Sequence, residues 1–322
     1  MTKRFPMDIP FGWFFVGYSN ELANKDVRPV HYFNRDLVLF RTESGEAGLL
    51  DAYCPHLGAH LGHGGTVEKE TIRCPFHDWR FDKDGQCTDI PYCDRMPPKI
   101  RDGKIKAQSY PIVEKNKVIW AWYHPENEEP WFDVMEHEEV NNEEWEDLIK
   151  YDWTFASNPQ EIAENGVDVA HFRYVHGMDG VPEGETTYDG VVRCSIAQGQ
   201  KTVKNDQGEL ETKQSKVKTI QNGAGQKYTR ISGLTDTLLM VLATPVTEEK
   251  VELRFAFTHK KFPENSAEYK VAKGTIKTLT GQKGVEGDIP IWEHKRFLPH
   301  PLLCDGDGPI MKFRKYFSQF YS

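Results

Sequence analysis

Cys54-Pro55-His56 and Cys74-Pro75-Phe76-His77 each set one thiol and one imidazole in a short loop. Thiolates and imidazoles are metal ligands. Two of each suit a [2Fe–2S] cluster in which two His replace two Cys on one of the irons, the Rieske variant. With one Cys and one His per loop, both loops straddle both irons: Cys54 and Cys74 serve the first, His56 and His77 the second. Structural zinc sites draw on the same residue types but pair Cys with Cys and His with His within a knuckle. The mixed C-x-H and C-x2-H spacings therefore favour iron–sulfur, a carrier of single electrons.

A second constellation lies in the run Glu164-Asn165-Gly166-Val167-Asp168-Val169-Ala170-His171-Phe172-Arg173-Tyr174-Val175-His176. Asp168 and His171 are spaced i,i+3 and share a face if the run is helical. His176, five residues after His171, needs a bulge or a helix end to rejoin them. Two His and one carboxylate with open positions form the facial triad of non-haem Fe(II) oxygenases. Taken alone, a His pair at this spacing is more often structural than ligating. The single-electron centre upstream gives it an acceptor role. Asp288, in a late helical stretch, is the candidate carboxylate; Glu286 and Glu293 compete, and spacing does not separate them.

Residues 1 to about 125 read as short strands, with Asp84-Gly85 and Asp102-Gly103 as hairpin turns. This predicts a small β-sandwich carrying the two Cys/His loops at one tip. An acidic stretch over 124–150 reads as a solvated connector, so the expected domains are 1–130 and 131–322. Asn158-Pro159 signals a helix over 158–176. Strands return over 186–260, continuous and apolar at 238–242. A helix follows over 266–298, interrupted near Gly281 and Gly287.

The bulk numbers narrow the class. The chain has 322 residues, 38% hydrophobic, 28% charged and 12% aromatic, with a net charge of −9. That is a globular composition, and its sign disfavours nucleic acid. Six Cys make no disulfide scaffold in so long a chain; Cys87, Cys93, Cys194 and Cys304 are expected to be free and at least partly buried. The aromatic run Phe11–Tyr18 is too short for a membrane span and lacks leader features, so a cytoplasmic, unanchored protein is expected. His60 and His63 read as loop residues, since the four cluster positions are filled. Gly62-His63-Gly64-Gly65 and Gly223-Ala224-Gly225 lack the dinucleotide fingerprint. Electrons must then come from a separate reductase.

Together these motifs resemble the Rieske non-haem iron oxygenases, specifically their α (oxygenase) component, over nearly the whole chain. Cys54, His56, Cys74 and His77 match the family's cluster motif. Asn165, Asp168, His171 and His176 match its N-x2-D-x2-H-x4-H, and Asp288 its late carboxylate. The resemblance implies an α+β protein: an N-terminal Rieske β-sandwich and a C-terminal helix-grip (START-like) domain with an antiparallel sheet around an apolar cavity. It implies a [2Fe–2S] cluster and a mononuclear Fe(II) on His171, His176 and Asp288. Asp168, with Asn165, joins the catalytic machinery, Asp168 linking His77 of one subunit to His171 of the next in a head-to-tail homotrimer. An NAD(P)H-dependent ferredoxin reductase, O2 and a hydrophobic small molecule are the implied partners.

His77-Asp78-Trp79-Arg80 departs from the His-Gly-Trp common among aromatic-ring dioxygenases. With Ile90-Pro91-Tyr92 and the tail from Asp288 to Tyr321, it looks like the branch of 3-ketosteroid 9α-hydroxylase oxygenase components and cholesterol 7-desaturases. The membrane segment usual in the desaturases is missing here, which favours the hydroxylase side. Monooxygenation of a bulky, steroid-like substrate is the leading expectation. O-demethylation, desaturation, ring dioxygenation and a non-catalytic electron carrier are the rivals.

Overall fold

The computed structural model describes residues 3–177, 184–204, 210–233 and 235–322. The chain forms two compact units, one of Trp13–Val134 and one of Met1–Gly12 with Met135–Ser322. The N-terminal residues thus join the second unit, where Phe11 N donates to Phe320 O at 2.8 Å. Composition gave no sign of this excursion.

The first unit is built from short strands in three sheets. One is ordered β1 (Gly12–Tyr18), β10 (Val118–Tyr123), β9 (Ile112–Lys115). β1 and β10 are buried along their whole length, which is why they read as unbroken apolar runs. The second sheet is the meander β2 (Val27–Tyr32), β3 (Arg35–Arg41), β4 (Ala47–Asp51). The third is β5 (Thr66–Glu68), β6 (Thr71–Arg73), β7 (Arg80–Phe81), β8 (Cys87–Asp89). A core of Val38, Phe40, Leu50, Leu61, Ile72 and Phe81 packs beneath the cluster loops and includes Cys54, Cys74 and Trp79.

Asp84-Gly85 turns β7 into β8, with Gly85 at φ +77°. Asp102-Gly103 does not make the expected hairpin. Pro98 opens a one-turn helix, α1 (Pro98–Arg101), and Gly103 N donates to Ile100 O at 3.0 Å to close it. The same dipeptide is here a helix stop, because proline sets the first turn.

In the second unit seven antiparallel strands form one sheet. Its order is β11 (Ile149–Phe155), β17 (Lys250–His259), β16 (Thr237–Thr247), β15 (Gln226–Ser232), β14 (Leu210–Asn222), β13 (Val192–Lys204), β12 (Gly184–Asp189). β16 is buried almost throughout. The sheet packs Leu239, Val241, Leu253, Phe255 and Phe257 against two late helices, α4 (Ala267–Thr280) and α5 (Val285–His294), the helix-grip pattern. Ser266 caps α4 by accepting from Tyr269 N, and Ala272, Ile276 and Thr280 bury one stripe at helical spacing. Gly281 breaks the helix as expected, whereas Gly287 lies inside α5.

Two sequence expectations need correction. The acidic connector is not merely solvated: Val134, His137 and Val140 are buried, and Arg230 clasps Glu139 at 2.5 and 3.0 Å. The helix over 158–176 is two helices, α2 (Pro159–Glu164) and α3 (Val169–Tyr174). All six residues of α2 are buried. Among the described residues no helix is long and apolar enough to cross a membrane.

Asn158 starts α2 as its sequence promises. Its Oδ1 accepts from Gln160 N at 2.9 Å, and its Nδ2 donates to Glu248 O at 3.3 Å. Because the group is fully buried, Asn158→Ala should cost about 1–2 kcal/mol. A thermal unfolding midpoint unchanged by this variant would contradict the assignment.

Candidate functional site

The two Cys/His loops share one backbone. Gly58 N donates to Cys54 O at 2.9 Å, and Asp78 N to Cys74 O at 3.1 Å. Cys54 N donates to Ala59 O, and Cys74 N to Trp79 O, both at 2.8 Å. Each turn closes on a residue with positive φ, +77° at Gly58 and +61° at Asp78. Glycine adopts that conformation freely, and aspartate is among the side chains that tolerate it. Asp78 gains further support from ion pairs with Arg73 and Arg80. The departure from His-Gly-Trp is thus an alternative solution to one backbone requirement.

These turns bring the four expected ligands together. Cys54 and Cys74 are buried and their thiols interact; the rings of His56 and His77 lie 4.8 Å apart. His56 stacks flat on Trp79 at 4.5 Å, and Trp79 Nε1 donates to Tyr92 Oη at 2.8 Å. The sequence had shown Trp79 and Tyr92 without their roles. His77 Nδ1 is buried with no hydrogen-bond partner. Burial pushes the Cys54 thiol up to about 12. A bare ring nitrogen and a thiol that ionises only beside positive charge are what an iron–sulfur group would satisfy. Tyr53, Leu57, Phe76 and Tyr92 form an exposed apolar rim around the loops.

In the second unit, one ligand atom each from His171, His176 and Asp288 lies within 4.8 Å of the others. Asp168 is not in a helix with His171. It is the N-cap of α3, its Oδ1 accepting from His171 N at 3.2 Å. The residue at this place has to stop one helix and start the next, so Asp168 terminates the break at 165–168. Its carbonyl lies 2.6 Å from His171 Nδ1. A carbonyl only accepts, so Nδ1 carries the proton and Nε2 keeps its lone pair. That Nε2 is buried and unpartnered, as is Nδ1 of His176. α3 ends at Tyr174, and this end returns His176 to the site, its ring 4.9 Å from that of His171.

Asp288 enters from the first turn of α5. Val285 and Trp292 share its face, and Trp292 stacks on Phe155 at 5.6 Å, so the helix cannot rotate freely. Asp288 Oδ2 lies 3.4 Å from His176 Nε2 and accepts from Asn165 Nδ2 at 3.1 Å. Glu286 is exposed, pointing away with Gln282. Burial raises the Asp288 carboxyl to about 7, opposed by the Asn165 hydrogen bond and by the charge of Lys227. Burial lowers both histidines, favouring their neutral, ligating form. A bare His171 Nε2, the His176 Nε2 beside Asp288 and a carboxylate raised by burial fit a divalent cation.

The sequence reading missed what holds α2. Arg314, in α6 (Ile310–Phe317), grips Glu164 through Nε at 2.7 Å and Nη2 at 2.8 Å. Gly308, at φ +80°, lets the preceding loop approach Val167 O, where a Cβ would sit only 2.4 Å away. Cys304 is exposed, contrary to expectation, because it lies in that outer loop; all six cysteines are free.

Comparison with known proteins bears on both units. Residues 12–111 match the Rieske [2Fe-2S] domain, and residues 121–321 match the 3-ketosteroid 9alpha-hydroxylase C-terminal domain. An oxygenase component of 3-ketosteroid-9-alpha-monooxygenase from Rhodococcus rhodochrous is 32% identical, covering 96% of this chain and 83% of the relative. Cholesterol 7-desaturase of Caenorhabditis elegans is 29% identical over 98% of this chain and 78% of its own. The crystal structure of dicamba monooxygenase bound to dicamba shares the fold, with a TM-score of 0.71 at 16% identity over 98% of both chains.

The raised Asp288 carboxyl has a defined sign. Its stabilising protonated form is complete below about pH 3.8 and is lost as pH rises through about 7. Chelated wild type should lose thermal stability relative to Asp288→Asn across that window, and Fe(II) should restore it. A wild-type-minus-variant difference that stays flat with pH would refute the geometry.

Proposed function

From the premise that this chain belongs to the Rieske oxygenases of the 3-ketosteroid 9α-hydroxylase family, we propose that it is the oxygenase component of a multicomponent monooxygenase hydroxylating a bulky, steroid-like molecule. It is an oxidoreductase of the iron monooxygenase type, with a Rieske [2Fe–2S] cluster and a mononuclear iron. The match to oxygenase components over 96% of the chain overturns the electron-carrier alternative. The observation that carries the proposal is the convergence of His171, His176 and Asp288, with bare lone pairs, in a chain that also carries the cluster loops.

The cluster, on Cys54, His56, Cys74 and His77, and the iron, on His171, His176 and Asp288, supply single electrons and dioxygen activation when bound. The rest is the work of side chains. Asn165 orients the Asp288 carboxylate through Nδ2. Asp168 holds His171 in one tautomer through its carbonyl. Its side chain is 41% exposed, which leaves the carboxylate open to accept from His77 of a neighbouring copy. Such a contact is head-to-tail and closes as a homotrimer. The exposed rim of Leu57 and Phe76 supports the same contact and the approach of an NAD(P)H-dependent ferredoxin reductase. The four cysteines outside the cluster loops are free thiols, which suits a reducing, cytoplasmic setting. Desaturation is the second reading, favoured by the similarity to cholesterol 7-desaturase.

The test supplies a surrogate ferredoxin reductase, NADH, labelled dioxygen and a 3-ketosteroid or a sterol. One labelled oxygen in the product is expected; loss of two hydrogens would favour desaturation, and inertness toward every steroid would sink both readings. His176→Ala should keep the cluster spectrum, lose the third iron per chain, and cut product formation at least about 100-fold.

A further inference from the structure

One row of side chains crosses the sheet beside the triad, and its chemistry changes along its length. Antiparallel register aligns Arg193 of β13 with Gln221 of β14, Lys227 of β15, Val241 of β16, Phe255 of β17 and Tyr151 of β11. Directly opposed residues project to the same face. Val241 and Phe255 belong to the core that packs against α5, so the whole row faces the helices. Half of it is apolar. The other half carries two cations.

Arg193 is 2% exposed. Its Nη2 donates to Gly166 O at 3.3 Å, and its guanidinium lies over the Phe313 ring at 5.9 Å. Nε and Nη1 have no partner. Lys227 reaches the same place, its Nζ 3.3 Å from where a Cβ on Gly166 would stand. Gln221 stands between them, held through Nε2 by Gly223 O at 3.3 Å, its Oε1 unpaired. Among the described residues neither cation makes an ion pair. Elsewhere in this unit buried charge is matched, as in Glu164 with Arg314 and Glu161 with Lys295. Gly166 follows Asn165, which donates to Asp288, so the cations converge beside the residue that holds the triad's carboxylate. Burial and the nearby Arg193 push Lys227 down to about 8, against the opposing charge of Asp288. A buried guanidinium with two open donors is costly unless something accepts from it.

We propose that the polar end of the row is a seat for a carboxylate on the substrate, its acid group held between Arg193 and Lys227. A guanidinium fork matches a carboxylate in charge and shape, and Lys227 adds a second donor. This deepens the proposed function and rests on it.

The probes are a 3-ketosteroid bearing a ring-D carboxylate and the methyl ester of the same acid. Each is titrated by calorimetry, without oxygen, into the purified oxygenase with its cluster and iron in place. The acid should bind at least about tenfold more tightly than the ester. Arg193→Met and Lys227→Met should each collapse that preference toward unity. Lys227→Met keeps an unbranched side chain of similar length, so it tests the seat where the arginine variant fails to fold. Equal affinities for acid and ester in the wild type would assign the row to bound water and overturn the proposal; so would a preference that survives Lys227→Met. Acid-selective binding without oxygen transfer to any steroid would sink the oxygenase reading and leave the anion seat standing.

Discussion

An imidazole lone pair shut away from water and given no donor raises the energy of the fold. This chain accepts that situation at His77, His171 and His176. Much of the local structure serves to keep it so. The paired turns aim the first set, with Trp79 pressed against His56. The carbonyl of Asp168 fixes the second by accepting a hydrogen bond from His171 Nδ1, which keeps the proton on that nitrogen. Asp288 completes the pattern as a buried acid whose only donor among the described residues is an amide, not a cation. Groups arranged this way are stable in their ligating form only when positive charge arrives. At the triad the protein supplies acceptors, and Lys227 only partly offsets the effect of burial on Asp288.

The ligands were legible because metal ligation in loops is written in short spacings. Cys54, His56, Cys74 and His77 need only their own turns, and each turn is closed within six residues. Asp288 was harder. Its competitor Glu286 differs by two positions, and only the burial of Val285 and Trp292 decides which carboxylate faces inward. The break between α2 and α3 was hidden for another reason. Gly166 was its sole local hint, and the interruption is held open by contacts from α6 more than a hundred residues away. Asp84-Gly85 and Asp102-Gly103 show the limit plainly: one dipeptide turned a hairpin and its twin stopped a helix, because Pro98 stood upstream of the second. The Arg193 row was invisible in sequence, since it exists only through strand register.

The second unit handles buried charge in two contrasting ways. Around α2 it pairs charges closely, with Arg314 forked on Glu164 and Lys295 on Glu161. Such pairs add little net stability, yet losing one partner is severe, so they specify position more than strength. On the opposite strands, Arg193 and Lys227 stay open. The first arrangement fixes the backbone that carries Asn165 and Asp168, and the second leaves a polar end within reach of the same backbone.

The C-terminal residues also bind inward. Tyr321 Oη donates to Gln160 Oε1 at 2.9 Å, Phe320 O accepts from Phe11 N, and Phe313, Phe317 and Phe320 are fully buried. The tail is therefore a latch on the helix that leads into the iron ligands. Proteolytic clipping there, or a bulky tag fused to it, would loosen metal retention long before it unfolded the sheet, so a preparation could stay folded and red-brown while already inactive.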